Sequence, residues 1–345
     1  MELEEAQKLW QPEPGWLNTA SYGLPPEPAW TALQEALADW RVGRISWEGW
    51  GGSVDRSRVA FAALVGVAAA DVAIGSTASQ LLAPVAAALP AGATVVVPEV
   101  EFTSNLFPWL VQERRGVTVR TVPLAGLVDA IDADTDLVAF SLVQSADGAV
   151  APYDEIVAAA RAHGALVAVD ATQACGWLPF DAGRADVVAV AAYKWLMAPR
   201  GAAFAYLAPA LRDRLRPDAA GWYAGADPHA SYYGPPLRLA EDARRFDISP
   251  AWFSYVGAAP ALELLGEIGL PAVRDHDVAL ANRFLAGLGQ PPGESAIVTV
   301  EVPGAEEKLA RAGVRAAVRA GRVRAAFHLY CTEDDVDLAL DALTS

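Results

Sequence analysis

The chain has 345 residues, 53% of them hydrophobic and 20% charged, with a formal net charge of −16. That is enough apolar material for a large domain with a smaller appendage, and the acidity argues against nucleic acid or an anionic membrane as partner, since both present phosphates. The two cysteines, Cys175 and Cys331, stand far apart and in no CxxC spacing, so neither a disulfide framework nor a thiolate metal site is expected and a cytoplasmic location fits.

The acidic start, MELEEAQKLW, lacks the basic and then apolar order of a secretory leader. Residues 72–98 carry no charge, but Gly75, Pro84, Pro90, Gly92 and a Ser/Thr/Gln cluster interrupt them. They are read as a buried loop, helix, turn and strand, because a membrane span needs a longer unbroken apolar run. Short Val- and Ala-rich runs at 94–98, 117–122, 137–142, 166–169, 187–191 and 203–207 predict buried strands, with segments such as 153–163 as crossover helices. This alternation predicts an α/β fold with a mostly parallel central sheet covered by helices. The last two runs are joined by too few residues for a full crossover helix, so the last strand is expected to run antiparallel. Residues 221–236, GWYAGADPHASYYGPP, are expected to cover or border a site. Further on, the pattern predicts helices at 252–267 and 272–288, a strand at 296–302, a helix at 306–312, a strand at 323–329 and a helix from Glu333. Two domains are expected: 1–250, an N-terminal segment and a large domain, and 251–345, a small C-terminal α+β domain.

Two segments carry chemistry. In ALVAVDATQA (165–174), Asp170 falls at the carboxyl end of a buried strand, where open α/β sheets bind ligands. Alone, such an Asp is equally a helix cap or a magnesium ligand. In ADVVAVAAYKWLMAPRG (185–201), Lys194 follows an apolar strand. A lysine there is ordinarily one that snorkels to the surface, yet a desolvated amine has a lowered pKa and condenses with an aldehyde. Together the two residues match the needs of pyridoxal 5′-phosphate: the lysine holds its aldehyde, and the carboxylate keeps its ring nitrogen protonated so that the ring accepts electrons from a Cα carbanion.

On these residues the chain resembles a fold-type I enzyme of the class V aminotransferase group, which includes cysteine desulfurases, C–S lyases, isopenicillin-epimerase-like proteins and kynureninase relatives. The resemblance implies the corresponding fold, with a small C-terminal α+β domain, and a set of site residues. Ser76 and Thr77 resemble the phosphate loop at a helix start, a ready anion site. Phe102, in PEVEFTSNLFPW (98–109), takes the place of a ring that stacks on the pyridine. It can stack but cannot move protons. Gln173 corresponds to a ligand of the phenolic oxygen, and Gln144 or Ser145 occupies the place of a neighbouring Asn. Tyr193 and Ser249 correspond to phosphate ligands, Ser249 reaching the partner subunit's cofactor, which implies a homodimer with shared active sites. Arg324, in VRAAFHLYCTE (323–333), corresponds to a bidentate clamp for a substrate carboxylate, with Asn18 of LNTAS (17–21) placed by the same likeness beside the substrate. Arg315, Arg319 and Arg322 read as surface charges.

Other chemistries find no support. The four histidines show no metal-ligand spacing, and no GxGxxG or P-loop is present. Most of the eleven tryptophans read as core or dimer packing. Residues 313–322, where cysteine desulfurases carry a mobile nucleophilic cysteine, contain none. The expectation is an enzyme acting at Cα of a small amino acid, first of all a β-elimination lyase of C–S type without a persulfide cysteine. An aminotransferase or epimerase of the same family, or a scaffold that has lost activity and only binds, is the alternative.

Overall fold

Residues 1–319 and 321–345 are described by a computed structural model of the chain. Three helices come first: α1 (Leu3–Gln7), α2 (Glu27–Arg41) and α3 (Trp47–Leu64). Then follow β1 (Val72–Gly75), α4 (Ala78–Ala88), β2 (Thr94–Pro98), α5 (Thr103–Leu110), β3 (Thr118–Val122), β4 (Leu137–Ser141), α6 (Tyr153–His163), β5 (Leu166–Asp170), β6 (Val187–Ala191), β7 (Ala203–Leu207) and α7 (Pro209–Arg212). The remainder is α8 (Trp252–Ile268), α9 (Leu270–Gly287), β8 (Ile297–Val300), α10 (Ala305–Arg311), β9 (Ala317–Arg319), β10 (Arg322–Ala326) and α11 (Glu333–Thr344).

Seven strands form the central sheet in the order β1-β7-β6-β5-β4-β2-β3. Strands β4, β6 and β7 are buried at every position and β5 at all but its first, as continuous Val/Ala/Leu runs require when both faces of a sheet are covered. The edge strand β3 departs from the expectation of a buried strand: Thr118 and Thr121 face solvent. The short link between β6 and β7 turns the chain back, and β7 runs antiparallel to β6. Strand β1, absent from the expected strands, pairs antiparallel with β7 and therefore points the same way as β6. The register sets Gly75 beside Ala203, Ala203 beside Ala191, and Asp170 beside both Ala189 and Ser141. Four strands thus end along one carboxyl edge, where ligands of open α/β sheets bind.

A second, antiparallel sheet has the order β8-β10-β9. Arg324 sits on its central strand, opposite Thr299 and Ala317. The start of the chain is laced onto this sheet through bridges from Trp16 to Arg315 and from Asn18 to Ala326. Helix α11 begins with a capping box, in which Thr332 and Asp335 satisfy each other's backbone donors. Asp335 also accepts the Gly15 N–H at 2.6 Å. Helix α8 packs on α2 and α3, and the buried pair Arg58–Asp247, at 2.6 Å, ties α3 to the start of the sheet.

Among the described residues no single helix is long and apolar enough to cross a membrane; α8 and α9 would pass only together and are bent by 87°.

Candidate active site

The site is built on the turn that follows β6. Lys194 stands three residues past the end of the strand, and its carbonyl accepts the Met197 N–H at 3.0 Å. Met197 closes the turn with φ 55°, a left-handed conformation uncommon for a side-chain-bearing residue. The turn is pinned from several sides. Trp195 is fully buried and donates its indole N–H to Gln173 Oε1 at 2.8 Å. Gly23 donates its N–H to the Tyr193 carbonyl at 3.0 Å. A Cβ on Gly23 would lie 1.9 Å from the Lys194 carbonyl oxygen, so only glycine fits there. Burial pulls the Lys194 amine down to about 8, against the opposing pull of Asp170.

Asp170 ends β5 and is 4% exposed. Burial pushes its carboxyl up, while the Thr172 N–H at 2.8 Å and the Lys194 charge hold it down. Thr172 in turn accepts the Ala191 N–H through its hydroxyl at 3.0 Å, which couples the ends of β5 and β6. Asp170 and Lys194 line one cleft together with Phe102, whose ring centroid is 5.4 Å from Lys194 Nζ.

Along one wall Ser76 and Thr77 lead from β1 into α4. Thr77 caps the helix by accepting the Gln80 N–H at 3.2 Å. Tyr193 also lines the cleft, with the Arg200 guanidinium 4.7 Å from its ring centroid. In the sequence Arg200 is only part of the run that follows Lys194; the fold of the turn brings it to the cleft.

At the other end, Ser145 and Gln173 join the cleft to Arg324. The Gln173 amide donates to Ser145 Oγ and to the Ala20 carbonyl, each at 3.0 Å. Arg324 is 1% exposed and donates to the Ser145 carbonyl at 2.6 Å, to Ser145 Oγ at 3.1 Å and to Ser21 Oγ at 2.9 Å. All are neutral acceptors. Its Nε is buried without a partner, and no carboxylate of the described residues reaches it. Burial, then the nearby Arg319, lowers its guanidinium to about 10. Asn18 Oδ1 is likewise buried and unpartnered.

Gln144 and Ser145, between which the sequence does not choose, are set apart by Glu101, which the sequence did not single out. This buried carboxylate accepts the Ser141 N–H at 2.7 Å, the Phe102 N–H at 3.0 Å, the Ser141 hydroxyl and the Gln144 amide at 3.2 Å. Gln144 is therefore turned onto Glu101, away from the cleft that Ser145 lines. Ser249 is exposed and does not line this chain's cleft. Nor does the 221–236 segment, expected to border the site. Its Trp222 and Tyr223 pack instead against Trp47, at 5.0 and 6.3 Å between ring centroids, and Tyr223 against Trp252. Among the described residues no group of His, Cys, Asp and Glu could hold a metal ion.

Both cysteines are buried, and burial pushes both thiols up, away from the thiolate form. Cys331 accepts the His328 N–H at 3.4 Å and donates to the Trp16 carbonyl at 3.3 Å.

A strand-end lysine and a strand-end carboxylate in one cleft, a helix start on one wall and a buried unpaired guanidinium beyond the other define the pyridoxal-phosphate class of enzymes, and these groups fit that cofactor. The family model for aminotransferase class-V matches residues 52–304, and the chain belongs to this family. Its cofactor is pyridoxal 5′-phosphate. The chain is 28% identical over 351 residues to the uncharacterized aminotransferase YcbU of Bacillus subtilis, covering 95% of this chain and 93% of that protein. To isopenicillin N epimerase of Streptomyces clavuligerus it is 29% identical over 303 residues, covering 74% and 75% of the two chains. Among solved structures, the cystine C–S lyase C-DES in complex with its product cysteine persulfide superposes with a TM-score of 0.86 at 22% identity, over 96% of this chain and 98% of that one.

Proposed function

We propose that this enzyme acts at Cα of a small amino acid as a β-elimination lyase of C–S type that uses no enzyme persulfide. The observation that carries the amino-acid reading is Arg324. A guanidinium that is 1% exposed and meets only neutral acceptors calls for an anion, because a buried charge is costly unless paired. A substrate α-carboxylate, held beside Asn18, meets that need and presents the Cα substituents toward Lys194.

When bound, the cofactor supplies an aldehyde for primary amines and an electron sink for the Cα carbanion. The chain's residues supply the rest. Lys194 would hold the cofactor, and its amine, near 8, would carry the proton between Cα and the leaving thiolate. Asp170 would pair with the ring nitrogen, Phe102 would stack on the ring, and Ser145 and Gln173 would serve the phenolic oxygen. Ser76, Thr77 and Tyr193 would take the phosphate, with Ser249 of a second copy in a homodimer. The division at residue 250 places this cofactor site in the large domain and Arg324 in the small one.

Two observations favour the lyase reading over epimerisation and a persulfide mechanism. Phe102, in the place of the ring that stacks on the cofactor, cannot carry a proton, and burial pushes both thiols up, away from the thiolate form a persulfide needs. The free cysteines suit a reducing cytoplasm. Elimination converts a β-thio-substituted amino acid and water into thiol, pyruvate and ammonia. Incubating the holoenzyme with a panel of amino acids tests this: pyruvate and ammonia in equal amounts with free thiol support it, whereas product that forms only when a 2-oxo acid is added makes the enzyme an aminotransferase.

A further inference from the structure

Behind the Lys194 turn lies a pair of ionisable groups that the chemistry above does not use. Asp277, on α9, and His328, two residues past the end of β10, are each 0% exposed. The Asp277 carboxylate meets His328 Nδ1 at 2.8 Å, and His328 Nε2 meets the Trp195 carbonyl at 3.0 Å. A backbone carbonyl only accepts, so Nε2 must carry the hydrogen. Either protonation arrangement of the Nδ1–Asp277 contact then leaves the ring fixed with its Nε2–H aimed at Trp195, the residue after Lys194. Around the pair stand the Trp195 ring at 5.2 Å, the Tyr330 ring at 5.7 Å and His276, whose Nε2 is 3.2 Å from the Cys331 carbonyl.

This arrangement is costly for a mere core. Asp277 Oδ1 is buried without a partner, and apolar residues of equal volume at such a place are commonly as stabilising as an ion pair, or more so. What the pair adds is direction. It ends on the carbonyl of a turn that contains a left-handed Met197, a conformation that persists only where its surroundings over-determine it. Trp195 is then held at both ends, its indole by Gln173 and its carbonyl by His328. His328 also lies four residues beyond Arg324 on the same segment, so one stretch of chain fixes both the carboxylate clamp and the lysine turn.

We propose that Asp277 and His328 are positioning residues for Lys194: a buried strut from α9 and the small sheet that holds the lysine turn in its reactive geometry. The proposal rests on Lys194 being the residue that holds the cofactor.

The test measures how fast the full-length protein captures added pyridoxal 5′-phosphate, by its visible band, with borohydride peptide mapping to locate the bond. His328→Leu slows capture on Lys194 by about 100-fold, the cost of an ångström-scale misplacement of a reacting group, with the far-ultraviolet circular dichroism unchanged. His328→Gln, which returns an N–H donor toward the Trp195 carbonyl, restores most of the rate. Asp277→Asn, which weakens the hold on the ring, falls between the two. A folded His328→Leu protein that captures at the wild-type rate, or a His328→Gln protein no faster than the leucine variant, overturns the strut. Should the leucine variant not fold, nitrogen-15 NMR of histidine-labelled wild-type protein decides: the imidazole in contact with the Trp195 ring has a protonated Nε2, and a bare Nε2 there overturns the proposal. Wild-type capture on some other lysine is a separate outcome, in which the Lys194 reading fails and the strut with it.

Discussion

Lys194 is buried by its neighbours more than it is charged by them, and that balance makes a testable statement about pH. Its amine is lowered to about 8, so the neutral, nucleophilic form is about half of the total at pH 8 and about nine-tenths of it one unit higher. Covalent capture of the cofactor by the cofactor-free protein is therefore expected to accelerate with pH through about 8 and to level off about one unit above. A rate that kept rising toward the ordinary lysine range would show that the burial has no such effect. At the far end of the cleft, Arg324→Lys exchanges a planar fork for a point charge. Losing one charge-assisted hydrogen bond of about 1.5–3 kcal/mol raises KM for a carboxylate-bearing substrate by about 10–150-fold and leaves an amine without a carboxylate nearly unaffected. Equal effects on both substrates would remove Arg324 from carboxylate recognition. The cysteines differ from one another in a way that stability reads. Cys331 has a donor and an acceptor that a serine hydroxyl can also meet, whereas the Cys175 thiol is buried with no hydrogen-bond partner among the described residues. Cys175→Ser thus costs about 1–3 kcal/mol, seen as a lower denaturation midpoint than for Cys331→Ser, while both retain activity. A substrate-dependent persulfide on Cys331, with activity lost in Cys331→Ser, would restore a desulfurase mechanism.

At the scale of elements, the Lys194 turn depends on a close approach. The N-terminal segment passes so near that a Cβ on Gly23 would lie 1.9 Å from the Lys194 carbonyl oxygen. Gly23→Ala is expected to displace the turn and slow covalent capture by about 100-fold; a near-normal rate, by the same visible-band measurement, would mean that the segment moves aside freely. This contact also marks the limit of what the sequence discloses. The strands that frame the site announce themselves as Val- and Ala-rich runs, and both chemical residues stand at the ends of such runs. Strand β1 hides in an uncharged stretch where four residues give no period, and β9 reads as surface charge because a strand of three residues that ends in Arg319 carries no pattern. Gln144 and Ser145 are neighbours whose roles depend on Glu101, more than forty residues away in the chain. Asp277 and His328 are separated by 51 residues and come together only once α9 packs behind the turn. Local patterns reveal which strand ends carry a residue; long-range packing decides which way its neighbours face.

Across the whole molecule, the large sheet gathers Lys194, Asp170, Ser76 and Thr77 along one edge, while Arg324 comes from the small sheet and Asn18 from the segment laced onto it. In the proposed reading cofactor and substrate are held by different parts of the chain, and the lysine turn is the place where they meet. Everything proposed for this enzyme passes through one bond. The most direct measurement is borohydride reduction of the yellow holoenzyme followed by peptide mapping, alongside Lys194→Ala. The reduced cofactor is expected on the peptide bearing Lys194, and Lys194→Ala is expected to keep its fold but form no reducible bond. Cofactor on another lysine, or a Lys194→Ala protein that still traps it, would remove Lys194 from this role.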